Sequence, residues 1–360
     1  MSRGRRVHTK LVLARVQCGK LMRWRSHARM IPIVNGRIEW RSSSHDLFAV
    51  SGDLEPVTAA LRLQVQDLNM NPDEVDPPER LWHYTSGAGA RGIFTSGTLW
   101  AGHLGYMNDS SEFDHAVAIS LEIARRLRDE LEDHKAGLEK WINYLTDSPP
   151  ERWTPNVFAV SLSESEDLLS QWRAYGTGRG GPFCIGFLSE TLRQQAPRIK
   201  VPRGRGWRMV RCIYDADEQR TMLEGLMREN LHWAAEADAD PHLEISKKGA
   251  ALEFSALFNA VWGTAPVFKH PAFSEEREWR LILGPVDPAK LTVHWVERPH
   301  TLAPYVEFPL HDEGGHLEDV WWIAGPGPQQ QLAQDAIGTI ARSAGVTPYQ
   351  GWSSRTPFVP

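Results

Sequence analysis

From Leu81 onward, short strand-like apolar runs are interrupted by helical stretches at irregular spacing, and this irregularity constrains the fold of the 360-residue chain more than any other feature. Leu81 to Thr85, Thr98 to Gly102, Asn156 to Leu162, Pro182 to Phe187, Val210 to Tyr214 and Glu278 to Leu283 read as strands bounded by glycine, proline or polar turns. Lys290 to Trp295, Tyr305 to Phe308 and Val320 to Ile323 complete a closing sheet. Helical periodicity fills Gly87 to Thr95, Asp167 to Tyr175, Glu218 to Trp262 and Gln329 to Ala344. A longer helical region, broken once, runs to about Leu145 from a start at Asn108, where Asp109 and Glu112 have capping-box spacing. Regular βαβ winding would need evenly alternating elements, so the pattern predicts an α+β fold.

Charge and composition divide the chain into three. Residues 1–42 hold eleven Lys/Arg against Glu39 alone, a charge of +10, which leaves −15 on the rest of a chain whose net charge is −5. That basic extension could grip nucleic acid or acidic lipid, or be a plain solvated tail; the acidic body disfavours a broad footprint for duplex DNA. Residues 43–80 read as a short helix over Leu54 to Leu68 and then a linker, NMNPDEVDPPE, rich in proline and acid. Residues 81–360 read as one α+β domain.

Apolar runs such as Phe254 to Trp262 fall far short of the roughly 20 residues a spanning helix needs, so no membrane role is expected. Cys18, Cys184 and Cys212 are scattered with no CxxC pair, which suits a reducing, cytoplasmic setting without disulfides or structural zinc.

Four polar clusters stand where plain core strands would be apolar: His83-Tyr84-Thr85; Asn108-Asp109 with Glu112; Ser161 to Ser163 followed by Gln171 to Gly176; and Glu276 to Arg280. Side-chain alternation turns His83 and Thr85 to one side of their strand. In the last cluster a strand period puts Glu276, Glu278 and Arg280 on one face and Trp279 on the other. A surface ladder of charges would look the same, but Leu281-Ile282-Leu283 carries the strand inward. Leu168, Trp172 and Tyr175 form one helical stripe that suits packing on a sheet. Arg173 adjoins the loop Gly176-Thr177-Gly178-Arg179-Gly180-Gly181, whose free backbone N–H groups and arginines suit phosphate, although neither a P-loop nor a dinucleotide fingerprint is present.

The strings LWHYTS, GIFTSGTLWAG, YMNDSSEF, FAVSLSESEDLLSQWRAYG, FKHPAFSEEREWRLI and WIAGP, in this order from Leu81, resemble the bacterial domain-of-unknown-function family 2971. That family in turn is similar to ADP-ribosyltransferases, where a first-strand histidine and a late-strand glutamate frame NAD between two small sheets. The resemblance implies a split β-sandwich with helical insertions and NAD as a substrate. It makes Glu278 the carboxylate that faces the ribose as an oxocarbenium ion develops, and Glu276 the group that orients an acceptor, protein or nucleic acid. It implies that His83 and Thr85 hold ribose hydroxyls, that one of Tyr84, Tyr106, Trp172 and Tyr175 stacks on nicotinamide, and that Arg173 and Arg179 contact the pyrophosphate. Two other classes remain open. One is a metal-dependent nuclease using Asp109, Glu112, Glu276 and Glu278 as oxygen ligands; the other is a non-catalytic nucleotide-binding or interaction module of bacterial stress or phage defence, whose polar residues form a buried network.

Overall fold

The computed structural model describes residues 75–107, 111–147, 156–176, 180–196, 199, 206–239, 248–284, 286, 291–298, 301–310, 317–347 and 349–357, the side chains of Ser111 and Glu112 excepted. The expected basic extension, the helix over Leu54 to Leu68 and the Pro-rich linker up to Glu74 lie outside these residues, as do Cys18, Asp109 and Arg179.

In chain order the strands are β1 (Arg80–Ser86), β2 (Thr98–His103), β3 (Phe158–Ser163), β4 (Pro182–Leu188), β5 (Arg208–Arg211), β6 (Glu278–Leu283), β7 (His294–Arg298), β8 (Thr301–Pro309), β9 (Val320–Ala324) and β10 (Gln350–Ser353). The helices are α1 (Gly87–Ser96), α2 (Ser111–Glu130), α3 (Lys135–Asp147), α4 (Leu169–Tyr175), α5 (Ser189–Gln195), α6 (Ala216–Ala239), α7 (Ala250–Thr264) and α8 (Gln330–Ser343). This is the mixed α+β class that the sequence pattern predicts. The helical region after Asn108 breaks once, at a 3₁₀ turn over Glu132–His134. The stretch from Glu218 to Trp262 divides into α6 and α7 instead of running on as one. The sequence reading passed over α5 and β10, whose polar residues hide them: SETLRQQ has two apolar-facing positions, and QGWS is four residues long.

The Cα trace clusters into two compact units. In one, the described residues are mostly helical, from α2, α3, α6 and α7. There Trp141 meets Phe254 with ring centroids 5.7 Å apart, and His134 Nδ1 lies 2.6 Å from Glu253 Oε1. Arg228 bonds Glu130 at 2.5 Å and Glu224 at 2.8 Å, and Arg126 also pairs with Glu224.

The other unit carries a ten-stranded sheet with a fork. One edge of β3 pairs with β6 along its length, from Phe158↔Leu283 to Ser163↔Glu278. The opposite edge is shared: β1 meets it at Trp82↔Ser163, and β2 at Gly102↔Ala159 and His103↔Phe158. From β1 one arm runs through β4 and β9 to β10; from β2 the other runs through β8 to β7; and β5 pairs on β6. Strand alternation sorts the side chains cleanly. On one face Leu81, Ile185, Leu162, Leu281 and Trp322 pack against Phe94 of α1, Leu192 of α5 and Ile337 of α8. On the other, Trp82, Tyr84, Cys184, Trp321 and Ile323 pack under Trp172 of α4. Local signals start and stop these elements: Ser86 caps α1 by accepting the Gly89 N–H, and Gly97, at φ 64°, ends it in a left-handed conformation that glycine adopts without strain.

His103 ends β2 buried against Tyr106 and Phe158, its Nδ1 accepting the Gly105 N–H. Burial holds its pKa down to about 4 from 6.5, against the opposing pull of its bond with Asn156. An unfolded chain therefore binds this proton near pH 6.5 while the folded chain refuses it until about pH 4, so stability falls as pH drops across that window. The histidine should contribute up to about 3 kcal/mol of that loss. Denaturant midpoints measured from about pH 7 down to about pH 4 should fall more steeply for the wild type than for His103→Gln; equal slopes would show that His103 does not set the pH response.

Candidate functional site

At the base of β6 the chain turns from Lys269 through a 3₁₀ helix over Pro271–Glu276 and a left-handed Arg277, φ 42°, into the strand at Glu278. Glu276 is thus not on the strand, contrary to the period-2 expectation, which extended the alternation across a turn. The two carboxylates still meet, because a lysine joins them. Lys269 Nζ donates to Glu276 Oε2 and Glu278 Oε2, each at 2.5 Å. Arg280 Nε donates to Glu278 Oε1 at 2.8 Å, its second terminal nitrogen reaches Glu278 Oε2 at 3.1 Å, and its first donates to the Pro266 carbonyl at 2.8 Å. Lys269, Glu278 and Arg280 are all at most 3% exposed, while Glu276 is half-buried.

The backbone frames this cluster. The Glu278 N–H donates to Tyr214 Oη at 2.8 Å, the Cys212 N–H donates to the Glu278 carbonyl, and Ser163 Oγ donates to the Glu276 carbonyl at 2.7 Å. Burial pushes the Glu278 carboxyl upward, but the charges and hydrogen bonds of Arg280 and Lys269 outweigh it and hold the pKa below the usual carboxylate range. Burial likewise works against the Lys269 charge, and Glu278 reverses it, so the ammonium is held more firmly than usual. Both partners are ionised, and two cations balance two carboxylates. The half-buried Tyr175 hydroxyl lies within the field of the group: burial raises its pKa, Glu278 and Glu276 raise it further, and Arg298 and Lys269 act in the opposite direction.

The structure brings together Glu278 and Glu276 of the expected site, with Tyr175 within reach of their charge, and adds residues that the sequence does not single out: Lys269 and Tyr214 by direct bonds, and Arg298 by its charge acting on Tyr175. Lys269 had a visible signal, a lysine closing the apolar run Ala265-Pro266-Val267-Phe268. Arg298 had none, since it lies at the end of a strand that the sequence places several residues too early.

Other expected residues lie elsewhere. The Trp82↔Ser163↔Glu278 register puts Glu278 on the face of Trp82, so His83 and Thr85 point to the opposite face. His83 Nδ1–H donates to the Ser161 carbonyl at 2.9 Å, in the interval of β3 between the β1 and β2 pairings, and burial lowers its pKa. Tyr84 and Trp172 are core residues, T-shaped with centroids 4.8 Å apart. The Tyr84 hydroxyl donates to the Ser165 carbonyl and accepts the Leu168 N–H, and Trp172 Nε1 donates to Asp167. Tyr106 is exposed beside His103, and Arg173 is exposed on α4. Of the carboxylates considered for metal, Asp109 and the Glu112 side chain lie outside the described residues, among which no group of three or more His, Cys, Asp or Glu is placed to hold an ion.

Replacing Lys269 with methionine should leave two carboxylates without the ammonium between them. Breaking a buried ion pair from one side costs more than the pair contributes, so Lys269→Met should lose about 3 kcal/mol in chemical denaturation near neutral pH. An unchanged midpoint would show that the cluster does not hold the base of β6.

Residues 171–281, the segment from α4 through Lys269 and Glu276 to Leu281 of β6, match the family model described as protein of unknown function (DUF2971). No curated protein and no solved structure matches the chain. Among the described residues no helix is long and apolar enough to cross a membrane.

Proposed function

By residues 171–281 the chain belongs to the DUF2971 family, and from that premise and the geometry at β6 we propose that it binds NAD as a substrate and cleaves the nicotinamide–ribose bond. ADP-ribose then passes to a protein or nucleic-acid acceptor, or to water. The observation that carries this reading is an ionised carboxylate, Glu278, held out of water beside a second, more accessible one, Glu276. Cleavage of the C–N bond leaves its electron pair on nicotinamide and a positive charge on the ribose, which a preorganised carboxylate stabilises. The acceptor's oxygen or nitrogen then bonds the anomeric carbon, and its proton leaves toward Glu276. Lys269 bridges both carboxylates, so one Glu278 oxygen faces ribose when the ammonium moves wholly onto Glu276. The forked sheet supports the likeness to a split transferase sandwich, with Tyr175, whose hydroxyl feels both carboxylates, as a ring for nicotinamide and Arg298 as a cation for phosphate.

One observation favours a second reading. Both Glu278 oxygens already accept hydrogen bonds within the protein, as they would in a non-catalytic nucleotide-binding or interaction module whose charged cluster fixes β6 in place.

Calorimetry with NAD and assay of released nicotinamide separate the two. On the enzyme reading Glu278→Gln leaves NAD affinity nearly unchanged and lowers turnover by roughly 10²-fold or more. Glu276→Gln spares hydrolysis and depresses transfer, and His83→Ala lowers stability with little effect on turnover. A wild-type protein that binds no NAD, or a Glu278→Gln protein that turns it over at the wild-type rate, leaves the module reading in its place.

A further inference from the structure

Between α8 and β10 lies a groove of about 570 Å³, a volume in the range of small-molecule sites. Two glycines in its lining let aromatic side chains pack directly on the backbone. A Cβ on Gly351 would come within 2.0 Å of Trp322 Nε1, and one on Gly338 within 2.7 Å of the Tyr349 hydroxyl. The floor holds a mismatch of a kind that folded proteins rarely leave. Trp322 is 1% exposed, yet its Nε1–H finds no acceptor among the described residues; the buried Gln334 Oε1 likewise finds no donor. One group offers a proton and the other accepts one, so an occupant that reaches both needs an acceptor and a donor.

The rim supplies different chemistry. Asp335, Thr339 and Arg342 follow Gln334 along one stripe of α8, about 12 Å from Gln334 to Arg342 at 1.5 Å per residue. The Arg342 guanidinium lies 4.9 Å from the Tyr349 ring centroid and donates to its hydroxyl at 3.1 Å, which leaves further N–H donors of its fork for an anion. The Asp335 carboxylate accepts from Gln331 and retains lone pairs for hydroxyls. A flat polar head, a hydroxylated middle and an anionic end would therefore meet matching groups in turn.

We infer that this groove is a binding site for a nucleoside monophosphate. Its base meets Trp322 Nε1–H and Gln334 Oε1 on the floor, its ribose hydroxyls meet Asp335 and Thr339, and its phosphate meets Arg342. The site is separate from the Glu278 cluster and does not depend on NAD chemistry there.

The full chain is titrated by calorimetry with AMP, GMP, CMP and UMP and with the corresponding nucleosides. At least one nucleotide should saturate with a Kd below about 1 mM. Gln334→Leu should weaken that nucleotide and its nucleoside alike by about tenfold, whereas Arg342→Gln should weaken the nucleotide about tenfold and leave the nucleoside unchanged. Thr339→Trp, at an exposed position of α8, fills the groove and should abolish binding even if Gln334→Leu folds poorly. Glu278→Gln should bind as the wild type does, which keeps this result apart from the fate of the NAD reading. Saturation by none of the four, indifference to the groove variants, or loss of binding in Glu278→Gln would overturn the inference.

Discussion

A lysine ammonium fixed between two carboxylates, with an arginine completing the charge balance, is the interaction on which the base of β6 depends. Each of Lys269, Glu278 and Arg280 would be costly to bury alone. Together they are tolerable because every charge faces an opposite one at hydrogen-bond distance, because Tyr214 and Cys212 satisfy the Glu278 backbone, and because the Pro266 carbonyl accepts a remaining Arg280 N–H. The same balance gives the site its chemical interest. A carboxylate without Arg280 and Lys269 would tend to protonate in so dry a place, whereas here it stays charged with little water near it.

The fork in the sheet leaves a gap along β3 that a side chain must fill. Since β1 and β2 both use one edge of β3, neither pairs along its whole length, and a side chain fills the interval: His83 donates to the Ser161 carbonyl there. This gives the first-strand histidine a definite task within the sheet. The backbone bond that the split removes is replaced by an imidazole, which burial keeps neutral and therefore cheap to enclose.

Much of this was legible in the residues. The runs around Glu278 to Leu283, Pro182 to Phe187 and Val320 to Ile323 fall on strands almost to the residue, because each is fully buried and bounded by turn-forming sequence. β7 begins four residues later than expected and β8 extends beyond the expected Tyr305 to Phe308 on both sides, since HWVER and the first residues of TLAPYVEFP are largely exposed at the sheet's margin and only Pro304 to Pro309 alternates cleanly. At the site, the sequence pattern grouped Glu276 with Glu278, which the structure also brings together, but for a partly wrong reason. It treated Glu276 as a strand residue, and only the Lys269 bridge, which depends on the 3₁₀ turn between them, brings it beside Glu278. The relation of His83 to Glu278 was out of reach for a simpler cause: which faces of two strands coincide depends on their register through β3, and register between distant segments leaves no local mark.

The position of Tyr175 depends in turn on residues that follow it by nearly the whole remaining length of the unit. Asp167, just before α4, accepts Trp172 Nε1–H at 2.5 Å, Ser354 Oγ–H at 2.5 Å, Thr356 Oγ1–H at 2.8 Å and the Arg355 N–H at 2.9 Å. Burial alone would raise its pKa; those four donors reverse the effect and keep it ionised, the form in which it accepts all of them. One carboxylate thereby ties the segment after β10 to the start of the helix whose last residue, Tyr175, feels the charge of Glu278 and Glu276. α4 is only seven residues long and its N-cap residue, Leu168, makes no side-chain cap bond, so a helix this short owes its placement to that tie and to Trp172 in the core rather than to its own propensity.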